Sequence, residues 1–537
     1  MNYSQIDLLN NFWSSQKEIN LLEPFVFANG SFEGKIQLLA SPKKPLEFKV
    51  CVPLSYPFSN DPISIRFFCT NNHKIRHLNA DNSVCMHVPL NTDFYQRLCQ
   101  ELDLLCTWRD KYYINVEIDD RYDYPVMEFG NNNTFLFTDI TFPFKRGDFG
   151  SFKACQYADN TQKGLVDSKN YLILSIGQAK CQWAERMFEL KANTEGLYYF
   201  LEDEPVIAPG KMISDWKDFD SLINQKFKAH LNQLKTNKQI PDIFFILLGY
   251  RIPGTNENHW EVISVEANAI PVKARKVNPR YYEFDLISQQ ISWSKTVNIS
   301  YERFFGRGQI HSKIADKKIL IIGVGALGSS LAKILTRSGC RHLSVCDMET
   351  IEPGNICRSE YNLVTISLPK TIALIRELTT ISPFLDMGIE PANSKILEPP
   401  YSETDRNRLH AYDLIFDCTS DMELALVLDR LKLSTQVINL SISNEAKELV
   451  CVTGGHHVAT EKAQLCNKLL MEENELFYEG TGCWSPTFKA SYFDINSLVN
   501  LAIKNIHLKS INDQHLHSFV IKTEQINNSV SLKVYDY

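Results

Sequence analysis

The chain contains 537 residues, of which 44% are hydrophobic and 22% are charged, values typical of packed globular domains. Its 56 basic and 63 acidic side chains leave a net charge of −7, which argues against a nucleic-acid binder. The first 25 residues lack a signal-peptide pattern, no stretch is apolar enough for a membrane span, and the 14 cysteines form no CxxC pair. We therefore expect reduced thiols and a cytoplasmic protein that binds neither membranes nor nucleic acid.

The first predicted domain, residues 1–125, has an α+β pattern. Apolar residues at helical spacing predict an opening helix at 4–18, and alternating apolar residues predict an antiparallel meander after it. A polar loop that contains Cys85 then leads to a second helix. The strands and the second helix are predicted at residues 25–40, 46–54, 62–68 and 94–108.

The second predicted region, residues 126–295, consists of a linker and a middle domain. The chain is polar and rich in Asn, Asp and Gly between 119 and 170, which predicts a linker. Strand-like runs alternate with helical segments between 170 and 290, which predicts an α/β middle domain. No motif for chemistry is visible there, so the pattern leaves the role of this region open.

The third predicted domain, residues 296–537, begins with a buried strand, a glycine turn and an apolar helix. The turn glycines, Gly323, Gly325 and Gly328, allow backbone N–H groups to approach a phosphate at the helix N-terminus. The next strand ends at Asp347, where an acidic residue accepts hydrogen bonds from ribose hydroxyls. This order predicts a doubly wound α/β nucleotide-binding domain.

The residues that follow Asp347 distinguish ATP from NAD. Asn355, Arg358 and Lys370 supply the polar and cationic groups that balance phosphate charge during attack at an α-phosphorus. A strand at 411–421 ends in acids, which suits Mg²⁺ at the carboxyl edge of the sheet. We therefore expect ATP and Mg²⁺. An oxidoreductase stays an alternative, because the glycines and Asp347 alone permit it.

Together these motifs resemble the adenylation domain of ubiquitin-activating and ThiF/MoeB-type enzymes, over roughly residues 300–510. The resemblance implies an adenylating enzyme with ATP and Mg²⁺ as cofactors. It implies that Asp347 binds the ribose. It also implies that three further residues surround the phosphates: Asn355, Arg358 and Lys370.

The chain departs from that family's pattern at the magnesium acid and at an arginine. The family usually reads Asp-Cys-Thr-Asp, whereas this chain has Asp417-Cys418-Thr419-Ser420-Asp421. The resemblance favours Asp421 as the metal ligand, with Asp417 as the alternative. The family's N-terminal catalytic arginine matches Arg303 better than Arg307.

Two cysteines are candidate nucleophiles. Cys483 lies in a loop of small residues before a helical run, and a helix N-terminus lowers the pKa of a thiol. Adenylating relatives pass the acyl group to a cysteine in this part of the chain, so the resemblance implies catalysis there. An inert loop cysteine is the alternative.

Cys85 is the second candidate nucleophile. Together with Tyr56-Pro57 and His77-Leu78-Asn79, its loop resembles the catalytic fold of ubiquitin-conjugating enzymes over residues 1–120. Those enzymes usually read His-Pro-Asn, and here Asn79 lies closer to Cys85 than is usual. Whether Asn79 assists Cys85 is therefore left open.

The two domains in one chain resemble the fused activating and conjugating transferases of bacterial anti-phage CBASS operons. That resemblance implies activation of a protein C-terminal carboxylate, a thioester on Cys483, transfer to Cys85 and then to an amine such as lysine. It also implies a cGAS-like CD-NTase as the substrate and a homodimer through the adenylation domain. A ThiF/MoeB-type sulfur-carrier adenylyltransferase and a non-enzymatic scaffold are the alternatives.

Overall fold

The protein is described here by a computed structural model, which forms two compact units. The first unit comprises residues 1–181 and 190–299, and the second comprises 182–189 and 300–537. The residues whose structure is described are 5–58, 65–72, 75–79, 81–86, 91–117, 124–138, 142–159, 168–181, 183–184, 191–208, 210–236, 241–279, 281–390, 403–453, 457–469, 477–478, 487–512, 514–526 and 529–537.

The first unit begins with a helix, followed along the chain by a four-stranded antiparallel sheet and a second helix. The strands follow one another in the order β1-β2-β3-β4, and the buried residues of β3 alternate with residues that are partly or fully exposed, as its sequence pattern predicted. One core joins the sheet to both helices. The elements are α1 (Gln5–Ser14), β1 (Ile19–Ala28), β2 (Ser31–Leu38), β3 (Leu46–Pro53), β4 (Arg66–Cys69), α2 (Phe94–Trp108) and a π-helical turn (Arg109–Ile114).

The rest of the first unit is a closed sheet with one α-helix against it. The strands run in the order β5-β16-β13-β12-β9-β6-β7-β8, and β5 also pairs with β7, which closes the ring. The elements are β5 (Phe129–Phe137), β6 (Phe149–Asp159), β7 (Lys169–Ile176), β8 (Ala179–Lys180), β9 (Thr194–Glu202), β10 (Val206–Ala208), β11 (Lys211–Met212), α3 (Gln225–Thr236), β12 (Ile243–Arg251), β13 (Asn258–Glu266), β14 (Val272–Asn278), β15 (Tyr281–Leu286) and β16 (Ser292–Asn298).

Two expectations for this region are wrong. The predicted linker between 119 and 170 contains β5 and β6. A polar side chain of this region bonds to a neighbouring strand of the sheet, since the Asn131 side-chain amide donates to Ser264 Oγ at 3.1 Å. The predicted alternation of helices and strands is also absent, because α3 is the one α-helix among the described residues of 126–295. Polar composition misled the prediction because β5 buries two of its nine residues, Phe135 and Phe137, and leaves the others at least partly exposed.

The second unit is a doubly wound α/β domain, as the sequence predicted. Its sheet has the order β19-β18-β17-β20-β21-β22-β25-β26, with the first five strands parallel and the rest antiparallel. Cores lie on both faces of the sheet, one with α6, α7 and α11 and the other with α8, α9 and α10. The elements are α4 (Tyr301–Phe305), α5 (Ser312–Ala315), β17 (Lys318–Ile322), α6 (Ala326–Arg337), β18 (His342–Cys346), α7 (Lys370–Ile381), β19 (Asp386–Ile389), α8 (Glu403–His410), β20 (Leu414–Asp417), α9 (Met422–Leu431), β21 (Gln436–Ser443), β22 (Glu448–Val452), α10 (Val458–Leu469), β23 (Phe477–Tyr478), β24 (Thr487–Phe488), α11 (Tyr492–Ile511), β25 (Phe519–Ile526) and β26 (Ser529–Asp536).

Among the helices in the part of the chain that is described, none has the length and apolar composition needed to cross a membrane.

Replacing Phe135 tests whether the supposed linker belongs to the core of the first unit. Its ring is fully buried, and the ring centroid lies 4.5 Å from that of Tyr171 and 4.8 Å from that of Phe245. Phe135→Ala should lower the free energy of unfolding by about 3–5 kcal/mol, because it leaves a cavity. Calorimetry should show a lower transition temperature, whereas Phe129→Ala, on the same strand but 54% exposed, should leave it nearly unchanged. Equal transition temperatures in the two variants would contradict the burial of Phe135 in this core.

Candidate active site

The parallel strands β17, β18 and β20 are neighbours, so the segments that follow their carboxyl ends meet at one edge of the sheet. A cavity of about 350 Å³ opens there. Five of the predicted site residues line it: Gly323, Gly325, Asp347, Lys370 and Asp421. These residues come from three loops and the first turn of α7, and only the sheet brings them together.

The glycine turn depends on the absence of a side chain at two of its three glycines, Gly323 and Gly328. Gly323 has a φ of +80°, and a Cβ there would lie 2.6 Å from Thr419 Cγ2. Gly328 packs α6 onto the turn, because its Cβ would lie 1.9 Å from the carbonyl oxygen of Gly323. Gly325 caps α6 and has open space before it, so the start of the helix faces the cavity. An exposed helix start with free N–H groups favours an anion.

Asp347 is held beside this turn by backbone groups. Its carboxylate accepts hydrogen bonds from the Val324 amide at 2.9 Å and from the Glu349 amide at 2.8 Å. The Tyr361 hydroxyl donates to the carbonyl oxygen of Val324 at 2.6 Å. Burial, with the negative charges of Asp347 and Glu349, raises the pKa of Tyr361, so its hydroxyl stays a donor. The sequence pattern had no signal for Tyr361.

Lys370 places a positive charge in the cavity wall. The residue is 5% exposed, and its Nζ donates to the carboxylate of Glu349, whose own side chain is 73% exposed. A nearly buried ammonium whose partner reaches into solvent is available to a more highly charged anion. Sequence reasoning missed Glu349, although an acid two residues after Asp347, at the same edge of the sheet, was a usable signal.

The two candidate metal acids have different surroundings. Asp417 is fully buried, accepts hydrogen bonds from Thr419 Oγ1 at 2.6 Å and Asn439 Nδ2 at 2.7 Å, and has its pKa raised by burial. Asp421 is partly exposed at the cavity and caps α9, where its Oδ1 accepts hydrogen bonds from the amides of Glu423 and Leu424. Of the two carboxylates, Asp421 is therefore the one that a ligand in the cavity reaches.

Four predicted site residues lie away from the cavity lining. Gly328 is buried within α6. Asn355 ends a 3₁₀ turn, where its Oδ1 accepts the Glu352 amide at 2.9 Å. Arg358 is half-buried after that turn, and Arg303 is exposed on α4. The roles assigned to Asn355, Arg358 and Arg303 stay predictions.

Of the two candidate nucleophiles, Cys85 lies in the part of the chain that the structure describes. Cys85 is exposed, and its amide donates to the carbonyl oxygen of His77 at 2.9 Å. The side-chain amide of Asn79 donates to Ser83 Oγ at 2.9 Å, within the turn that precedes Cys85. Asn79 therefore stabilises the loop in this structure. Cys483 lies outside the described residues.

Comparisons with known proteins define the class of the second unit. Residues 297–452 match the family model described as the ThiF family. The second unit therefore contains a ThiF family domain, in agreement with its doubly wound α/β fold.

A longer stretch of the chain is similar to a ubiquitin transferase-like protein. It is 24% identical over 368 residues to the ATP-dependent ubiquitin transferase-like protein Cap2 of Enterobacter hormaechei, covering 62% of this chain and 58% of that protein. This similarity confirms the resemblance drawn from the sequence.

Two further similarities cover shorter stretches of the chain. The chain is 29% identical over 119 residues to the molybdopterin-synthase adenylyltransferase of Haemophilus influenzae, covering 22% of this chain and 46% of that protein. The Escherichia coli MccB structure with ATP aligns at 17% identity and a TM-score of 0.29, covering 42% of this chain and 65% of that one. The chain spans less than two thirds of each of these relatives.

Gly328→Ala tests the close packing of α6 on the turn. The new methyl group would collide with a backbone oxygen, which cannot rotate away, so the second unit should lose at least about 1–3 kcal/mol of stability. Calorimetry should show a lower transition temperature. Gly354→Ala is the matched control, because a Cβ at this exposed position of a 3₁₀ turn in the same unit meets no atom within 4 Å, so the transition should change little. If the two variants unfold at the same temperature, the packing described for Gly328 is wrong.

Proposed function

We propose that the chain uses ATP to activate the C-terminal carboxylate of a protein and passes the acyl group through two cysteines to an amine. The observation that carries this proposal is the single cavity in which the glycine turn, Asp347, Lys370 and Asp421 meet. An anion site, a ribose acceptor, a fixed cation and a carboxylate are the groups that ATP requires. The similarity to Cap2 and to an adenylyltransferase supports the same reaction.

ATP is assigned to the cavity from the chemistry of these residues. Asp347 would accept hydrogen bonds from the ribose, and the exposed start of α6 and the Lys370 ammonium would face the phosphates. Mg²⁺ usually takes one or two protein carboxylates and completes its shell with phosphate oxygens and water, so Asp421 alone fits it. When bound, the ion would supply charge neutralisation on the phosphates.

Adenylation makes a poor acyl donor reactive. A substrate carboxylate oxygen attacks the α-phosphorus of ATP, the bond to pyrophosphate breaks, and an acyl-adenylate forms. Negative charge grows on the phosphate oxygens during this step, and the Lys370 ammonium stabilises it most when the charge is largest. Its position in the cavity wall is set before ATP arrives, so little reorganisation accompanies the reaction.

The acyl group then moves between sulfurs. The Cys483 thiolate attacks the acyl carbon and releases AMP, and the Cys85 thiolate attacks the resulting thioester. An amine finally displaces Cys85 and forms an amide. The exposure of Cys85 supports its part in this relay, because both the thioester and the amine must reach its sulfur.

The substrate and the biological setting follow from the resemblance to fused CBASS transferases, which the similarity to Cap2 supports. We propose a CD-NTase C-terminus as the acyl donor, lysine amines as acceptors, a homodimer formed through the adenylation domain, and a role in anti-phage defence. A cytoplasmic location is part of the same proposal.

A sulfur-carrier adenylyltransferase is the second candidate, because the chain is similar to a molybdopterin-synthase adenylyltransferase. That similarity covers 22% of the chain and leaves the Cys85 domain without a function. The two candidates differ in whether an acyl group ever reaches Cys85.

Lys370→Ala tests the assignment of the ATP site. Loss of one fixed donor to developing charge costs about 2.7–4 kcal/mol, so ATP–pyrophosphate exchange with the acyl substrate should fall roughly 10²–10³-fold. Lys318→Ala is the matched control, because Lys318 is exposed at the opposite end of β17. Thermal unfolding of both variants checks that the loss is chemical. An exchange rate that Lys370→Ala leaves unchanged would refute the ATP site.

The order of the two thioesters tests the relay. Cys483→Ala should retain pyrophosphate exchange and lose every thioester, because Cys483 belongs to the same domain as the adenylate. Cys85→Ala should accumulate the Cys483 thioester and block transfer to amines. Non-reducing gels and peptide mapping with ATP and a CD-NTase measure both. A thioester on Cys85 in the Cys483→Ala protein would contradict the order, and exchange without any thioester in the unmutated protein would favour sulfur-carrier adenylation.

A further inference from the structure

A lysine of the middle domain, on the two-stranded sheet β10-β11, reaches the loop that carries Cys85. Lys211 begins β11, and its Nζ donates a hydrogen bond to Asn82 Oδ1 at 2.5 Å, across a sequence separation of 129 residues. Both residues belong to the first compact unit. Asn82 lies three residues before Cys85, in a segment that we call the thiol loop, residues 81–86.

The thiol loop is shaped around Asn82. Asn82 adopts a left-handed φ of +64°, a conformation that asparagine tolerates better than most residues. Its carbonyl oxygen accepts the Cys69 amide at 3.0 Å, and its amide donates to Asn79 at 2.9 Å. Two residues later, the Val84 amide donates to Phe67 at 2.9 Å. These bonds attach the loop to β4, and the chain then turns outward at Cys85.

The backbone at Lys211 is fixed by the middle domain. Val126 donates to the Gly210 carbonyl at 2.8 Å, and Met212 donates to the Val126 carbonyl at 3.1 Å. The Met212 side chain is 4% exposed, in a core of the first unit. The ammonium of Lys211 therefore extends from a rigid base.

The chemistry of the contact indicates a directional role. Burial lowers the pKa of Lys211, so the fold bears a cost for keeping an ammonium there. Its partner is a neutral amide, and a charge-assisted hydrogen bond of this kind fixes the direction of a side chain more strictly than apolar packing does. An apolar side chain of the same length would fill the space without orienting Asn82.

We propose that Lys211 is a positioning residue for the transfer to Cys85, and that the middle domain serves to hold the thiol loop in the position that the transfer requires. This inference rests on the proposed function. In that transfer the Cys85 thiolate forms a bond to the acyl carbon, the bond from that carbon to the Cys483 sulfur breaks, and Cys483 leaves as a thiolate. No ATP, oxidant or reductant is consumed.

Position matters in this step because the thioester exchange is nearly isoenergetic and gains its rate from proximity. Reacting atoms must approach to about 3–3.5 Å, and a misplacement of about 1 Å can cost a hundredfold in rate. A loop released from Lys211 would still expose Cys85, but its sulfur would spend less time in the reactive position.

The first arm of the test needs neither ATP nor substrate. Hydrogen–deuterium exchange on the full chain compares Lys211→Met with Lys273→Met, a change at an exposed lysine of β14 in the same domain. We expect faster exchange at the amides of residues 82–85 in Lys211→Met alone. Unchanged exchange there would overturn the positioning role. If Lys211→Met does not fold, Lys211→Gln takes its place.

The second arm measures the transfer itself in a single turnover. Lys211→Met should slow loading of Cys85 by about tenfold to a hundredfold, while pyrophosphate exchange and loading of Cys483 stay at the unmutated rates. Lys211→Arg should restore most of the rate, since arginine still donates to Asn82. An equal loss in Lys211→Arg, or equal rates in Lys211→Met, would overturn the proposal.

The two arms separate this inference from the proposed function. If the unmutated protein forms no thioester on Cys85, the relay itself fails, whatever the exchange of the thiol loop shows, and the inference falls with it. If the unmutated protein loads Cys85 and Lys211→Met loads it equally fast, only the role of Lys211 is refuted.

Discussion

The contact between Gly328 and the carbonyl oxygen of Gly323 is the constraint on which the candidate site depends. A Cβ at Gly328 would lie 1.9 Å from that oxygen, so no other residue lets α6 pack this closely on the turn. The close packing aims the start of the helix at the cavity, and Tyr361 holds the turn from the other side. The neighbouring parallel strands then set the distance from this turn to Asp347 and to the loop after β20.

Buried polar groups hold the other wall of the cavity. Asp417 cannot leave its site without breaking hydrogen bonds to Thr419 and Asn439, and it therefore shapes the loop that ends at Asp421. Asp417 stabilises the loop and Asp421 faces the cavity, although both follow the same strand in the sequence. Burial makes the difference, because a carboxylate with its oxygens already bonded in the core is not available to a ligand.

Local pattern was sufficient where one strand, one turn and one helix follow each other directly. The order of apolar strand, glycines and helix predicted the strand, turn and helix at the candidate site, because strand period and turn glycines are properties of neighbouring residues. Local pattern was insufficient to predict the strands of the middle region. Asn131 and its polar neighbours belong to β5, whose partner strand β16 lies far along the chain. Composition there predicted a linker because nothing local indicates that Phe135 meets Tyr171 and Phe245.

By itself, the sequence determined the class of the C-terminal domain and five of the residues at its cavity, since spacing along one chain segment predicts which groups reach a sheet edge. The tertiary structure alone decided which acid faces the cavity, which residues assist the glycine turn, and which distant lysine reaches the loop of Cys85. Lys211 and Asn82 are 129 residues apart, and Glu349 meets Lys370 only because β18 ends and α7 begins at the same edge of the sheet. Such contacts depend on how elements pack, and packing is a property of the folded chain as a whole.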